Sequence, residues 1–322
     1  MILHLSPGWQ IRFACPICHN PMGPSLTHAG ENAVQEVECQ SCDVGCKVED
    51  GIVKLSTADV FYDQHGFTST GRDFGHGTAG RVALFFARHH YLYDISRSIP
   101  ASSAVIELGC GGGSKYLSAR YDMLGVDVSA ASIRQAAVTY PSVVQGTAAE
   151  LPVASSSVDA IISSCFLEHL GDDLIGGCLA EMNRVLRPGA LMLHLLDLDT
   201  EGPFFGWAKR QQWFDPVFVR SRGHFGLRTL ESWQHLLKMA GFEIKEKRLF
   251  CKTWLQDLSI WAALDSPFVA GAPRLLGRTA AFVRRVTGRG GDVCTTVTDD
   301  FVGLVLPDRW AAKAIIVVRK NS

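Results

Sequence analysis

The chain has almost no net charge: 31 basic and 32 acidic residues among 322 leave a formal −1. That excludes a global electrostatic pull toward nucleic acid, so any basic surface has to be local. Long apolar runs are missing as well. No stretch reaches the roughly 18 uninterrupted apolar residues of a spanning helix. The opening MILHLSPGWQIRFACP lacks a long apolar core and a small-residue cleavage site, so no export leader is expected and the expected compartment is cytoplasmic. No Gly-Lys-Ser/Thr closes a glycine loop, which removes P-loop phosphate chemistry. What remains, 47% hydrophobic and 20% charged residues, describes a globular protein long enough for one large domain and a small one.

The most informative stretch is AVIELGCGGGSKYLSAR, Ala104–Arg120. An apolar strand running to Glu107, a glycine cluster and a helix-competent run form the opening of a nucleotide-binding α/β unit. Gly109 allows the sharp turn, Gly111 a close backbone approach, and Gly113 tight helix–strand packing. Asp127 lies twenty residues beyond Glu107, after a second short strand Met123–Val126, where a carboxylate can accept both hydroxyls of a ribose. A dinucleotide fingerprint is not completed, because Ser114 stands at the third glycine position. The acidic residue before an E-x-G-x-G-x-G loop would repel a pyrophosphate but suits a ligand with an ammonium and a sulfonium, such as S-adenosylmethionine.

Ten cysteines without an export leader point to metal binding or free thiols rather than a disulfide framework. Cys15-Pro-Ile-Cys18 and Cys39-Gln-Ser-Cys42, twenty residues apart, match a structural zinc ribbon whose four thiolates close a tetrahedron. Cys46 could replace Cys42, His19 is a weaker ligand candidate, and four buried free thiols are the alternative. Residues 1–55 form this unit, and 56–100 a linker with the glycine-rich Ser69–Gly80 and a helix over Arg81–Arg97. This linker either folds over the cofactor or only packs.

From Ala104 apolar strands alternate with helical patterns, which predicts a parallel sheet covered on both faces. Strands are expected at Val143–Gln145, Val158–Ser163, Ala190–Leu196, Phe242–Leu249 and Ala312–Arg319. Helices are expected at Ser129–Thr139, from a cap at Asp172, and from a cap at Thr229 to a stop at Gly241. Leu151-Pro152, Ser157-Val158-Asp159, Glu168-His169-Leu170 and Glu181 through Arg184-Val185-Leu186-Arg187-Pro188-Gly189 follow in order. With the glycine loop, these residues resemble class I S-adenosylmethionine-dependent methyltransferases, in the group acting on small molecules, quinones and lipids. The resemblance implies a Rossmann-like α/β fold with a seven-stranded, mostly parallel sheet over 101–322, preceded by the zinc ribbon. It implies Glu107 and the turn Gly109-Cys110-Gly111 near the methionyl amine, Gly113 behind them and Asp127 on the ribose. Val128 would flank the adenine, and Ser164 and Cys165 would lie near the methionyl group. The family's aspartate after the third-strand glycine is Thr147 here, so the adenine edge would be read by its hydroxyl or by the backbone of Ala148 and Ala149.

Methyl transfer from a sulfonium is an in-line displacement, so the enzyme aligns the partners, excludes water and removes a proton where the acceptor is an alcohol. His169 is the candidate general base, its alternative being a structural helix-start histidine. Glu168 reads as a helix-start carboxylate. Cys165 reads as a buried thiol, because no Asn/Asp-Pro-Pro-aromatic tetrad accompanies it. Tyr62 and His65 could reach the substrate mouth or stay solvated.

Two insertions carry the acceptor signal. Residues 197–228 are rich in aromatics, and 252–310 combine Trp254–Trp261 with Arg274, Arg278, Arg284, Arg285 and Arg289 on Pro273–Arg289. No acid lies between Asp265 and Asp292. Such a face can lie on an anionic membrane, bind RNA or cap the core with a solvated side. The expected function is methylation, at oxygen or carbon, of a small-molecule or lipid-linked acceptor. Methylation of an rRNA or tRNA base, with the ribbon holding RNA, and a non-catalytic partner subunit are the alternatives.

Overall fold

A computed structural model describes residues 3–24, 36–42, 44–55, 60–65, 90–256 and 258–321. The expected loop Ser69–Gly80 and the first half of the helix expected over Arg81–Arg97 lie outside them, as do the side chains of His65 and Arg289. Within them runs one sheet in the order β1-β2-β3-β4-β7-β6-β5-β8-β9-β11-β10. Its strands are β1 Met22–Pro24, β2 Glu36–Cys39, β3 Gly45–Glu49, β4 Ile52–Lys54, β5 Ala104–Leu108, β6 Asp122–Asp127, β7 Ser142–Gln145, β8 Val158–Ser164, β9 Leu186–Asp197, β10 Phe242–Phe250 and β11 Lys313–Lys320.

The last seven positions in that order, β7 to β10, are the expected seven-stranded sheet. β7, β6, β5, β8 and β9 run parallel, and β11 lies antiparallel between β9 and β10. Every residue of β5 is buried, as are the middle of β6 and nearly all of β8. Near-continuous apolar runs form such strands because helices cover both faces of a parallel sheet. The helix Asp172–Val185 contributes Ile175, Cys178, Leu179, Met182 and Val185 to one face, each large apolar side chain contributing about 1.5–3 kcal/mol on burial. Its N-cap is Gly171 rather than Asp172, which is the first helical residue and pairs with Arg228 at 2.5 Å. Thr229 caps Leu230–Met239 as expected, accepting from the Ser232 amide at 3.2 Å, and Gly241 ends it at φ +83°.

The ribbon is more than an appendage. β1 to β4 form an antiparallel meander, and β4 pairs parallel with β7, Val53 opposite Val144. Val37, Cys46, Val48 and Val53 share a core with Ile106, Leu124 and Val144, together with Leu5, Trp9 and Phe13 from the segment before the ribbon. The two insertions also meet. Phe204, Trp213, Val217 and Phe218 pack with Ile260, Leu264 and Val269 into a separate cluster, with Phe204 and Trp261 edge to face at 4.8 Å.

Candidate active site

Strand order reverses between β5 and β8, so a crevice opens beyond their carboxyl ends, where open α/β sheets bind ligands. The glycine loop lies there. Gly109, Gly111 and Gly113 all have left-handed backbones, at φ +62°, +55° and +75°, a region disfavoured for residues with a Cβ. A Cβ on Gly109 would come within 2.4 Å of the Phe166 ring. Ser114, where a dinucleotide loop carries glycine, instead caps the turn Lys115–Ser118, its hydroxyl accepting from the Leu117 amide at 3.3 Å.

Glu107 is fully buried and accepts from the Tyr140 hydroxyl, which in turn accepts from the Ser114 amide at 3.0 Å. Tyr140 thus braces strand and loop, a role without a signature in the sequence. Asp127 ends β6 and accepts from Gly111 N–H and Ser129 N–H, both at 2.9 Å, which ties the two halves of the unit together. Val128, next in the chain, takes a bond from Gln145 on its carbonyl at 3.2 Å. Cys110 is buried behind the turn. The Thr147 hydroxyl accepts from Ala149 N–H at 3.2 Å, so that amide is already used within the loop; Ala148 is buried.

At the end of β8, Ser164 is buried, whereas Cys165 is exposed at φ +52°, an uncommon backbone for a residue with a Cβ. The expected buried thiol is therefore at the surface of the crevice, because the chain turns sharply off the strand. Glu168 differs from expectation as well. It is fully buried in the single turn Leu167–His169, ahead of the long helix, and accepts from Asp197 N–H at 3.3 Å. Burial, with the Asp197 charge beside it, pushes its carboxyl up to about 8. Burial opposes ionisation of Asp197 too, but Lys313 at 2.8 Å, with His224 and Arg222, holds that carboxyl below its usual range.

His169 donates from Nδ1 to the Gly223 carbonyl at 2.9 Å, and its ring meets those of Tyr62 at 5.7 Å and His224 at 5.1 Å edge to face. Burial lowers its pKa against the opposing pull of the Gly223 carbonyl, and lowers that of His224 to about 4. Burial thus favours the neutral form of both imidazoles. Beyond Asp197 a cleft opens beside the two insertions, lined by Phe205, Phe214 and Phe218 with Lys209, Arg222 and His224, and by Ile260 from the later one. Sequence reasoning missed Asp197, Arg222, His224 and Lys313, which come from three distant segments and meet only in the fold.

Much of the resemblance motif is scaffold. Glu181 and Arg184 pair at 2.7 Å; Glu181 accepts from Leu151 N–H, and Arg184 donates to the Leu151 and Val153 carbonyls. Asp159 accepts from Ala104 N–H at 2.8 Å and pairs with Arg187. These charged residues hold the loop after β7 and the start of β5.

At the other end of the sheet the sulfurs of Cys15, Cys18, Cys39 and Cys42 lie within 4.8 Å of one another, with Cys15–Cys42 and Cys18–Cys42 at 3.5 Å and Cys18–Cys39 at 3.4 Å. The Ser41 amide draws the Cys39 thiol down to about 7, while burial pushes Cys42 up to about 12. Cys46 stands on β3 opposite Val37, facing the core, where burial raises it to about 11.

Residues 106–194 match the methyltransferase domain family. A protein from Mycolicibacterium smegmatis named a probable S-adenosylmethionine-dependent methyltransferase is 29% identical over 169 residues, covering 50% of this chain and 60% of the relative. An uncharacterized methyltransferase of Synechocystis is 28% identical over 181 residues, covering 52% and 80%. Among solved structures, phosphoethanolamine N-methyltransferase 2 of Haemonchus contortus superposes with a TM-score of 0.50 at 17% identity, covering 81% of this chain and 59% of that one. The family match over residues 106–194, the strand order and the left-handed glycine turn beside a strand-end carboxylate together support a class I S-adenosylmethionine-dependent methyltransferase domain in this chain.

Proposed function

We propose that this protein methylates a small-molecule or lipid-linked acceptor, at oxygen or carbon, held in the cleft beside its two insertions. The observation that carries the reading is continuity. Asp197 lines the cleft, and its carboxylate lies within 4.8 Å of the Cys165 sulfur and Glu168, at the end of the strand beside the glycine loop. The loop fits the donor, since Gly109, Gly111 and Gly113 make a left-handed turn free of side chains and Asp127 stands at the next strand end. Bound there, S-adenosylmethionine supplies a methyl already activated on a sulfonium. Glu107 and the turn Gly109–Gly111 would hold its amine end, and Asp127 its ribose. Phe205, Phe214 and Phe218 would exclude water from the acceptor and align it. His169, whose Nδ1 donates to the Gly223 carbonyl and whose pKa burial lowers, would take the proton of an alcohol acceptor.

The four-thiol cluster fits a structural zinc. Zn–S bonds of about 2.3 Å give a tetrahedral S–S edge of roughly 3.8 Å, close to the observed 3.4–3.5 Å. Four thiolates leave no coordination position for water, so this metal would stabilise the fold rather than take part in the reaction.

Labelled S-adenosylmethionine offered with the purified protein to separated lipid, metabolite, RNA and protein fractions tests the acceptor. Label in lipids or metabolites is expected; label confined to RNA overturns the reading. With the acceptor in hand, His169→Gln should lower kcat by about 10²–10⁴-fold with cofactor affinity unchanged. Full kcat in that variant removes His169 from the role of base.

A further inference from the structure

The late insertion ends in the helices Gly271–Thr287 and Arg289–Gly303. An amphipathic helix of a globular protein turns its large apolar residues toward the core. The first of these two does the reverse. Its buried positions are Gly277 and Ala280, and a Cβ on Gly277 would come within 2.3 Å of the Asp265 backbone nitrogen. Small residues therefore let the helix backbone lie directly on the segment that precedes it. Leu275, Phe282 and Val286, spaced by seven and four residues, share the opposite side. They are 65%, 65% and 69% exposed, and Leu276 and Val283 widen the exposed stripe.

Arginines border this stripe. Arg274, Arg278 and Arg285 fall along one margin at 100° per residue, and Arg284 and Arg285 are exposed. Asp265 approaches Arg274 and Arg278 at 3.8 and 3.4 Å, so the acid at the start of the insertion partly offsets those two; Arg284 and Arg285 lie a turn or more beyond it. The end of the second helix and the turn after it expose Phe301, Leu304 and Val305, each by more than three-quarters. A solvated cap would carry polar residues on this side. RNA phosphates would engage the arginines and leave Phe282 and its neighbours in water. A second copy packed face to face would bring the arginine margins against each other. An anionic bilayer satisfies both features, apolar side chains entering the acyl boundary while guanidinium groups meet lipid phosphates. No helix among the described residues is long and apolar enough to cross a membrane.

We propose that the helix Gly271–Thr287 lies in the interface of a bilayer containing anionic lipid, with Leu275, Phe282 and Val286 inserted and Arg278 and Arg285 at the headgroups. Flotation of the full chain with vesicles of phosphatidylcholine alone, or with added phosphatidylglycerol, is the test. Retention on the anionic vesicles only is expected, with Phe282→Ser/Val286→Ser and Arg278→Glu/Arg285→Glu each lowering the bound fraction about tenfold. Because Phe282, Val286 and Arg285 face solvent and Arg278 gives up only a surface ion pair with Asp265, the unfolding temperatures of both variants should stay close to the native value. Slower hydrogen exchange of residues 271–287 on anionic vesicles provides the same test without substitution. Equal retention of native and variant chains, no retention, binding to RNA alone, or a dimer abolished by Phe282→Ser/Val286→Ser without vesicle binding would each overturn the proposal.

Discussion

Asp127 holds two backbone amides before any ligand arrives, one in the glycine turn and one at the start of the next helix. Asp127→Ala therefore removes ribose acceptors and loosens Gly111 together. Calorimetry should show S-adenosylmethionine binding weakened by about 1.5–3 kcal/mol, the cost of hydrogen bonds to a charged group; native affinity would remove Asp127 from the cofactor site. Burial of histidine sets a pH limit on the fold. His194 is fully buried on β9 with Nδ1 2.8 Å from the Ser163 hydroxyl, and desolvation lowers its pKa to about 3. The unfolded imidazole titrates near 6.5, so unfolding takes up a proton below that value. The contribution is complete above about pH 6.5 and is lost as pH falls toward about 3. At pH 5 the loss is about 2 kcal/mol, at 1.36 kcal/mol per unit. Urea unfolding midpoints at pH 7.5 and 5.0 should diverge, and His194→Asn should narrow the gap.

At the scale of single elements, the turn after β5 is the most constrained. Gly109 combines a left-handed backbone with contact against Phe166, which itself begins the turn leading to Glu168 and His169. Gly109→Ala should cost about 1–3 kcal/mol of stability from backbone strain alone, with the displaced ring adding to it. Phe166 should move toward the crevice, so cofactor affinity should fall in parallel. Thermal unfolding together with calorimetry checks both, and an unchanged Tm would show that the turn relaxes at no cost. The sequence left open whether the arginine-bordered apolar face of Pro273–Arg289 meets a membrane, RNA or solvent over the core, and the side of this helix that turns inward is made of small residues. Periodicity identifies a stripe and cannot say which way it points, because that depends on the surface beneath the helix.

At the scale of the molecule, the ribbon and the methyltransferase sheet are one continuous hydrogen-bonded surface. β4 covers the edge that β7 would otherwise expose, and the ribbon's valines lie in the same core as β5 and β6. If the four thiols hold zinc, chelation should do more than loosen residues 1–55. Hydrogen exchange at Ser142–Gln145 should rise as well, because its edge partner is lost, while β8 and β9 stay protected. Exchange rising only within the ribbon would show that β4 remains docked without metal.

What the sequence determined by itself was local: the glycine turn, the paired cysteines, the helix start at Ser129, the cap at Thr229, and the alternation that makes a parallel sheet. Each rests on neighbours within a few residues, where backbone stereochemistry and spacing decide the outcome. Glu107, Asp127 and the turn were legible because a strand–turn–helix fixes their separation. Tertiary structure alone decided the acceptor side. Asp197, His224 and Lys313 belong to a strand end, an insertion and the last strand, and only the pairing of β9 with β11 brings Asp197 and Lys313 opposite each other. It also decided the charge states there. Glu168 is an ordinary helix-start carboxylate in sequence, yet the surrounding core takes its water away and leaves it beside another acid, which drives its proton affinity up.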